Sequence, residues 1–203
     1  MLLQPALPKS CLSFAPTLSG RDDCYASQSV GDFTMFSPKS IANYFLELAA
    51  ASGESLNPIK LQKLVYYAHG WYSGYTKKPL IDEAVEAWQY GPVIPSLYHE
   101  FKRFGSGVIR GKAVEYAGFG RPAAVIPPAD PDIRKFLTNV WNSYGRYTGL
   151  ALSEMTHASG TPWDTTWSKC PGVRGQDIPF EHIINWFGAA VAKTQQPVAK
   201  LEC

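Results

Sequence analysis

Proline recurs in this chain where it starts helices rather than where it would break them. Ser37-Pro38, Asn57-Pro58 and Asp130-Pro131 each set a small polar residue before a proline, and apolar residues at helical spacing follow each pair. The first turn of a helix leaves its N–H groups unbonded, so the N–H that proline lacks is not missed there, and its fixed φ suits the first helical position. Serine, asparagine and aspartate can accept one of the remaining orphan N–H groups through the side chain. Pro95 and Pro179 stand before two further runs of the same kind. The stripes are Ile41, Phe45 and Leu48; Leu61, Leu64, Val65, Ala68 and Tyr72; Leu97, Phe101 and Phe104; Ile133, Phe136, Leu137, Val140 and Tyr144; and Phe180, Ile183, Ile184 and Phe187. Each repeats at intervals of three and four, the period of one helix face. Gly53 and Gly105 close the first and third. A shorter helix over residues 149–158 sets Leu152, Met155 and Thr156 on one side. A chain started so often as helix has little room for a large sheet, and the first two helices, joined by a short linker, are expected to pack antiparallel.

Strand signals are few. In "AVEAWQ" Val85, Ala87 and Gln89 alternate with Glu86, Trp88 and Tyr90, enough for one short strand. "AVEY" and "AAVI" flank Gly118 and Gly120 and read as a small hairpin. "SGTPWDTTWSKCPGVRGQD" reads as a tryptophan-bearing loop. The expected fold is mainly α with a small β component (α+β): a single compact helical domain with a short β-hairpin or small antiparallel sheet. Residues 36–190 form that domain, residues 1–35 a flexible leader and residues 191–203 a loose tail. The leader has no basic n-region, and Pro5 and Pro8 interrupt its apolar residues, so it is not a signal peptide. Met35, directly before the first helix start, is expected to be the natural start.

Composition narrows the function classes. A net charge of +2 over 203 residues is too small to announce a nucleic-acid binder, and no run spans a bilayer. Cys11, Cys24, Cys170 and Cys203 show neither C-x-x-C spacing nor a regular framework, so no metal site is expected and the setting reads as reducing and cytoplasmic. No cofactor motif is present. "GSGVIRGK", residues 105–112, lacks P-loop spacing and follows a helix rather than a strand. Lys102, Arg103, Arg110 and Lys112 form the densest basic cluster, with Lys60 and Lys63 a smaller one. A solvated helix face accounts for both better than a phosphate groove does, so nucleic acid is an open partner but not the favoured one.

His69, His99, His157 and His182 each stand alone on or near a helix. His69 or His157 could serve an enzyme as a general base, joined by Glu86 or Glu154. A hydrogen-bonded, half-buried histidine is the simpler reading of each, and no catalytic residue is assigned. Aromatic residues carry more promise. Tyr66, Tyr67, His69 and Trp71 crowd one helix, and Tyr67 falls with Lys60, Lys63 and Gly70 on the side away from the apolar stripe, where it is expected to meet water or a covering element. "EAWQYGPVIPSLYHEF", residues 86–101, holds Trp88, Tyr90, Tyr98 and Phe101 around Gly91, Pro92 and Pro95. Leu97 and Phe101 should face inward; Trp88, Tyr90 and Tyr98 are either core rings or binding anchors.

Residues 56–105 carry three ordered elements: a leucine-lysine-leucine helix (Leu61, Lys63, Leu64) running into "YYAHGW" with Gly70 and Trp71, then "EAWQYGPV" with Gly91, then Pro95, Leu97 and Phe101 in "P-x-LY-x-x-F". "LSEMTHASGTPW", with His157, Pro162 and Trp163, follows later. In this order the elements resemble the Panacea domain, the family of SocA-like antitoxins and phage-associated GepA-like proteins, over about residues 36–168. The resemblance implies a bacterial or phage protein whose partner is a protein toxin encoded nearby, neutralised by direct binding or by delivery to a ClpXP-type protease. It implies no enzyme activity, no cofactor and no metal. The partner-binding residues expected from the two readings together are Tyr66, Tyr67, His69, Trp88, Tyr90, Pro92 and Tyr98; the remaining motif residues are expected to be structural.

Overall fold

The computed structural model describes residues 35–117, 120–173 and 175–195. The elements run in the order α1 (Pro38–Ala51), α2 (Pro58–Thr76), β1 (Glu86–Trp88), β2 (Gly91–Val93), α3 (Pro95–Phe101) with a 3-10 turn at Lys102–Phe104, β3 (Val114–Ala117), β4 (Arg121–Ala124), α4 (Pro131–Tyr144), α5 (Gly149–Thr156), α6 (Pro162–Trp167), β5 (Gln176–Asp177) and α7 (Phe180–Gln195). The fold is mainly α with a small β component.

The proline starts hold, though not all through the same contact. Asn57 Oδ1 accepts from Lys60 N at 2.8 Å, and Asp130 Oδ1 from Asp132 N at 2.8 Å. Ser37 occupies the cap position but makes no side-chain cap bond; α1 relies on the proline and on the Ser37 carbonyl. Thr161-Pro162 carries the same signature and opens α6, inside the stretch expected to be loop. There Thr161 Oγ1 accepts from Asp164 N and donates to Thr156 O, tying α6 to the end of α5.

α2 is the axis of the molecule. Every residue from Leu61 to Trp71 is buried, because α1, α4, α5, α7 and β2 surround the helix. A helix enclosed on all sides has no polar face, so its periodicity does not mark a wet side. Of the two alternatives for Tyr67, the covering element holds, and the residue is 1% exposed. Its ring stacks on Tyr144, centroids 4.5 Å apart, and its hydroxyl donates to Leu152 O. Tyr66 lies edge-on to Phe187, and Trp71 Nε1 donates to the Tyr144 hydroxyl at 2.8 Å. Gly70 lets α7 approach: a β-carbon there would stand 2.2 Å from the Phe187 ring.

Two small sheets complete the fold. β1 pairs antiparallel with β2 through Glu86↔Val93 and Trp88↔Gly91, and with β5 on its other edge through Glu86↔Asp177. β3 and β4 form the expected hairpin, Val114 opposite Ala124 and Tyr116 opposite Pro122. α7 continues to Gln195 with Val191 buried, so residues 191–195, expected to be loose, are helical. The expectations for the leader and for Cys11, Cys24 and Cys203 lie outside the described residues, and Cys170 is a free, exposed thiol. No helix among the described residues is long and apolar enough to cross a membrane.

Candidate functional site

The separate motifs meet at the β1–β2 corner. Lys63, expected on a solvated face, is 1% exposed and points from α2 into the turn. Its Nζ donates to Tyr90 O at 2.8 Å and to Pro92 O at 3.0 Å. Ser153 Oγ on α5 donates to the same Tyr90 carbonyl at 2.6 Å, and Trp163 Nε1 on α6 donates to Trp88 O at 2.8 Å. Gln62 completes the frame, exchanging two 3.0 Å bonds with the backbone N–H and C=O of Ile94. Groups from three helices thus pin the carbonyls of Trp88, Tyr90, Pro92 and Ile94. Two strands of three residues each would not hold such a corner alone.

Gly91 is dictated by both conformation and space. Its φ of +100° lies where L-residues are strained, and a β-carbon would stand 2.5 Å from Lys63 Nζ and 2.6 Å from Thr156 Oγ1. Burial pushes the Lys63 ammonium down to about 7, since no described carboxylate pairs with it and its partners are neutral carbonyls. The His157 ring lies 4.1 Å from that of Trp163, and its Nε2 is buried with no hydrogen-bond partner among the described residues. Burial, then the nearby Lys63 charge, lower its pKa, while Glu154 opposes them.

The corner turns its rings outward. Tyr90 is 69% exposed and Tyr98 37%, while the Trp88 ring is half-buried edge-on to Tyr98, centroids 4.7 Å apart. Trp88 Nε1 donates to Glu86 Oε2 at 2.7 Å. Beneath the rings lies a cavity of about 280 Å³ whose walls include Ile59, Gln62, Lys63, Val93 and Lys102. Pro92, by contrast, is buried and serves the corner through its carbonyl.

The remaining expected residues go elsewhere. Tyr66, Tyr67 and His69 are buried in α2 and offer no surface to a partner. His69 Nδ1 accepts from Leu80 N at 3.3 Å and its ring faces Phe180; burial pushes its pKa down to about 4, so it is neutral at physiological pH. Leu61, Leu64, Trp71, Leu97 and Phe101 are core, and Pro95 and Pro162 sit at helix starts. The basic cluster is dispersed: Lys112 pairs with Glu47 at 2.6 Å, Arg103 lies over the Phe104 ring, and Lys102 stands at the cavity rim. Among the described residues no group of three or more His, Cys, Asp or Glu side chains could hold a metal ion. Gln62, Ser153 and Thr156 lie inside the motif strings but do not stand out as reactive side chains, because they bond backbone groups.

These positions are those of a known domain. The profile of the antitoxin SocA-like Panacea domain matches residues 61–164, from the start of the α2 core to α6. Antitoxin SocA of Caulobacter vibrioides (strain NA1000 / CB15N) is 36% identical over 127 residues, covering 62% of this chain and 68% of that protein. No solved structure matches. The chain belongs to the Panacea-domain family of SocA-like antitoxins.

Proposed function

We propose that this protein is an antitoxin that neutralises a protein toxin encoded beside it by binding that toxin with the rings of the β1–β2 corner. Membership in a SocA-like antitoxin family supports the antitoxin role. The observation that carries the site is the contrast between a backbone pinned from three helices and the exposed rings of Tyr90 and Tyr98 beside it. Rigid, amphipathic rings lose little entropy on docking and are the usual anchors of protein interfaces. His69 takes the Leu80 N–H and His157 lies against Trp163, arrangements that serve packing, so the proposed activity is binding rather than chemistry.

The test is growth rescue. The adjacent open reading frame is expressed alone and with this protein; it should arrest growth alone, and the wild-type protein should restore it. Tyr90→Ala with Tyr98→Ala should abolish rescue while the protein stays folded by circular dichroism; most of the stability lost, about 1–2 kcal/mol, comes from the Tyr98 ring packed on Trp88. Rescue by the double variant would remove the corner from the function. Repeating the assay in cells lacking ClpXP separates blocking from delivery: rescue that persists there needs no protease.

A further inference from the structure

The cavity under the corner rings is specific in size and in sign. At about 280 Å³ it falls just short of the range of about 300–1,000 Å³ usual for drug-sized ligands, and suits one or two inserted side chains better. Its apolar walls come from Ile59, Trp88, Val93 and Tyr98. Its one exposed charge is positive, Lys102 at the rim; Lys63 in the wall is buried with its ammonium turned to the Tyr90 and Pro92 carbonyls, and no carboxylate is among the described lining groups. Lys102 is exposed and makes no ion pair among the described residues, whereas Lys39, Lys60 and Lys112 each have a glutamate. Glu86, close by on β1, is taken up by the Trp88 N–H and does not line the cavity. The first residues of α2, Pro58 and Ile59, stand in the wall, so the positive end of a 19-residue helix adds to the same field.

Apolar surface extends past the cavity mouth. Ile59 is 44% exposed. Gly149 packs against Ile59 and the Lys60 backbone, which brings the start of α5, with its exposed Leu150, to the same end of α2. An apolar patch around a positively charged hollow fits a partner that offers an apolar side chain beside negative charge.

We infer that the cavity receives a segment of the partner protein in which one large apolar side chain seats between Ile59, Trp88, Val93 and Tyr98 and a neighbouring Asp or Glu meets Lys102. This rests on the binding reading above and names the chemistry of the same site. The lysine at the rim selects for the acidic neighbour, and the rings and Ile59 hold the anchor. The rim pair is solvent-facing, so it weakens as salt rises, while the anchor does not.

The experiment pans a phage-displayed library of random peptides against the immobilised full-length chain and against its K102E and Ile59→Arg variants. Both substitutions are at exposed positions. Wild type should enrich peptides with Trp, Phe or Leu within a few positions of Asp or Glu. K102E should shift the enrichment to Lys or Arg beside the same anchor and weaken the best acidic peptide about tenfold at low salt, less at high salt. Ile59→Arg should lose both sets. Enrichment without acidic bias, or an unchanged set on K102E, overturns the inference. So does a wild-type chain that is dimeric by light scattering and becomes monomeric with Ile59→Arg, because the hollow would then be a self-interface. Growth rescue separates this from the wider reading: rescue without acidic bias sinks only the segment chemistry, and acidic bias without rescue sinks the antitoxin reading.

Discussion

The β1–β2 corner and the β3–β4 hairpin are both short antiparallel pairs, yet they are held in opposite ways. The corner is gripped along its length, with donors from α2, α5 and α6 on the alternate carbonyls of Trp88, Tyr90 and Pro92 and with Gly91 and Pro92 buried. The hairpin is gripped at its foot. Asn43 Nδ2 donates to Ala113 O and Val125 O while its Oδ1 accepts from Ala113 N. The Lys39–Glu100 pair takes the carbonyl and N–H of Val114. Beyond that stem the strands stand in solvent, Tyr116 being 75% exposed. Two short ribbons thus reach similar backbone geometry, one by tertiary hydrogen bonds throughout and one by a clamp at its base. Substitution of buried or gripping residues should be costly across the first and costly only at the foot of the second.

The largest effect is expected at Gly91. Gly91→Val forces a β-branched residue to φ +100° and drives its β-carbon into Lys63 and Thr156, a loss of about 4 kcal/mol or more, enough to unfold a marginally stable domain. Circular dichroism and the soluble yield would show it; a normally folded Gly91→Val would mean that the corner is looser than its contacts. Lys63→Ala comes next. It empties the space of the side chain and strips one donor from Tyr90 O and the donor from Pro92 O, about 3 kcal/mol in urea melts. Lys63→Met fills the space without the buried charge and should cost less.

Protonation gives a third comparison, of similar size. His69 is held neutral, its pKa near 4 against 6.5 when unfolded. On acidification through that window the unfolded chain takes the proton first, so stability falls from pH 6.5 to pH 4 by on the order of 3 kcal/mol. Lys63, near 7 when folded and 10.5 when unfolded, gives the same sign higher up: stability rises from pH 7 to pH 10.5 as the buried amine no longer has to carry a charge. Urea midpoints against pH should therefore climb in two steps, and Lys63→Met should erase only the upper one. An unchanged upper step would place its origin elsewhere.

How much of this was legible in the sequence depends on the kind of interaction. The helices were legible because proline starts and apolar stripes are local signals, and Thr161-Pro162 carried the same signal within a stretch whose glycines and tryptophans read as loop. The corner was half legible: its breakers marked a turn, and Trp88, Tyr90 and Tyr98 stood out as rings. The grip on it was not, because Lys63 looks like any helix-surface lysine until α2 is known to be enclosed on every side. The same enclosure is why the pattern could not choose between water and a covering element for Tyr67, since periodicity reports a face only where a helix has a wet one.

Asn43→Ala should cost about 2 kcal/mol, less than the Gly91 and Lys63 lesions, because it loosens a foot rather than a core turn. Its signature is local: amide exchange should speed up across residues 113–117 and 121–125 and stay slow in α2. The smallest effect is expected at the far end of the same hairpin. Tyr116 lies opposite Pro122, with three-quarters of its surface in water. Tyr116→Ser exposes no core and removes no hydrogen bond described for the ring, so the midpoint should move by about 0.5 kcal/mol or less. Tyr90→Ser, at a ring almost as exposed, should be equally silent in the melt and yet damage toxin rescue. The pair isolates what the corner adds: two exposed tyrosines of equal expected structural cost, of which only the one on the pinned backbone is expected to bear on binding. Equal loss of rescue from both would extend the binding surface to the hairpin, and no loss from either would move it off both.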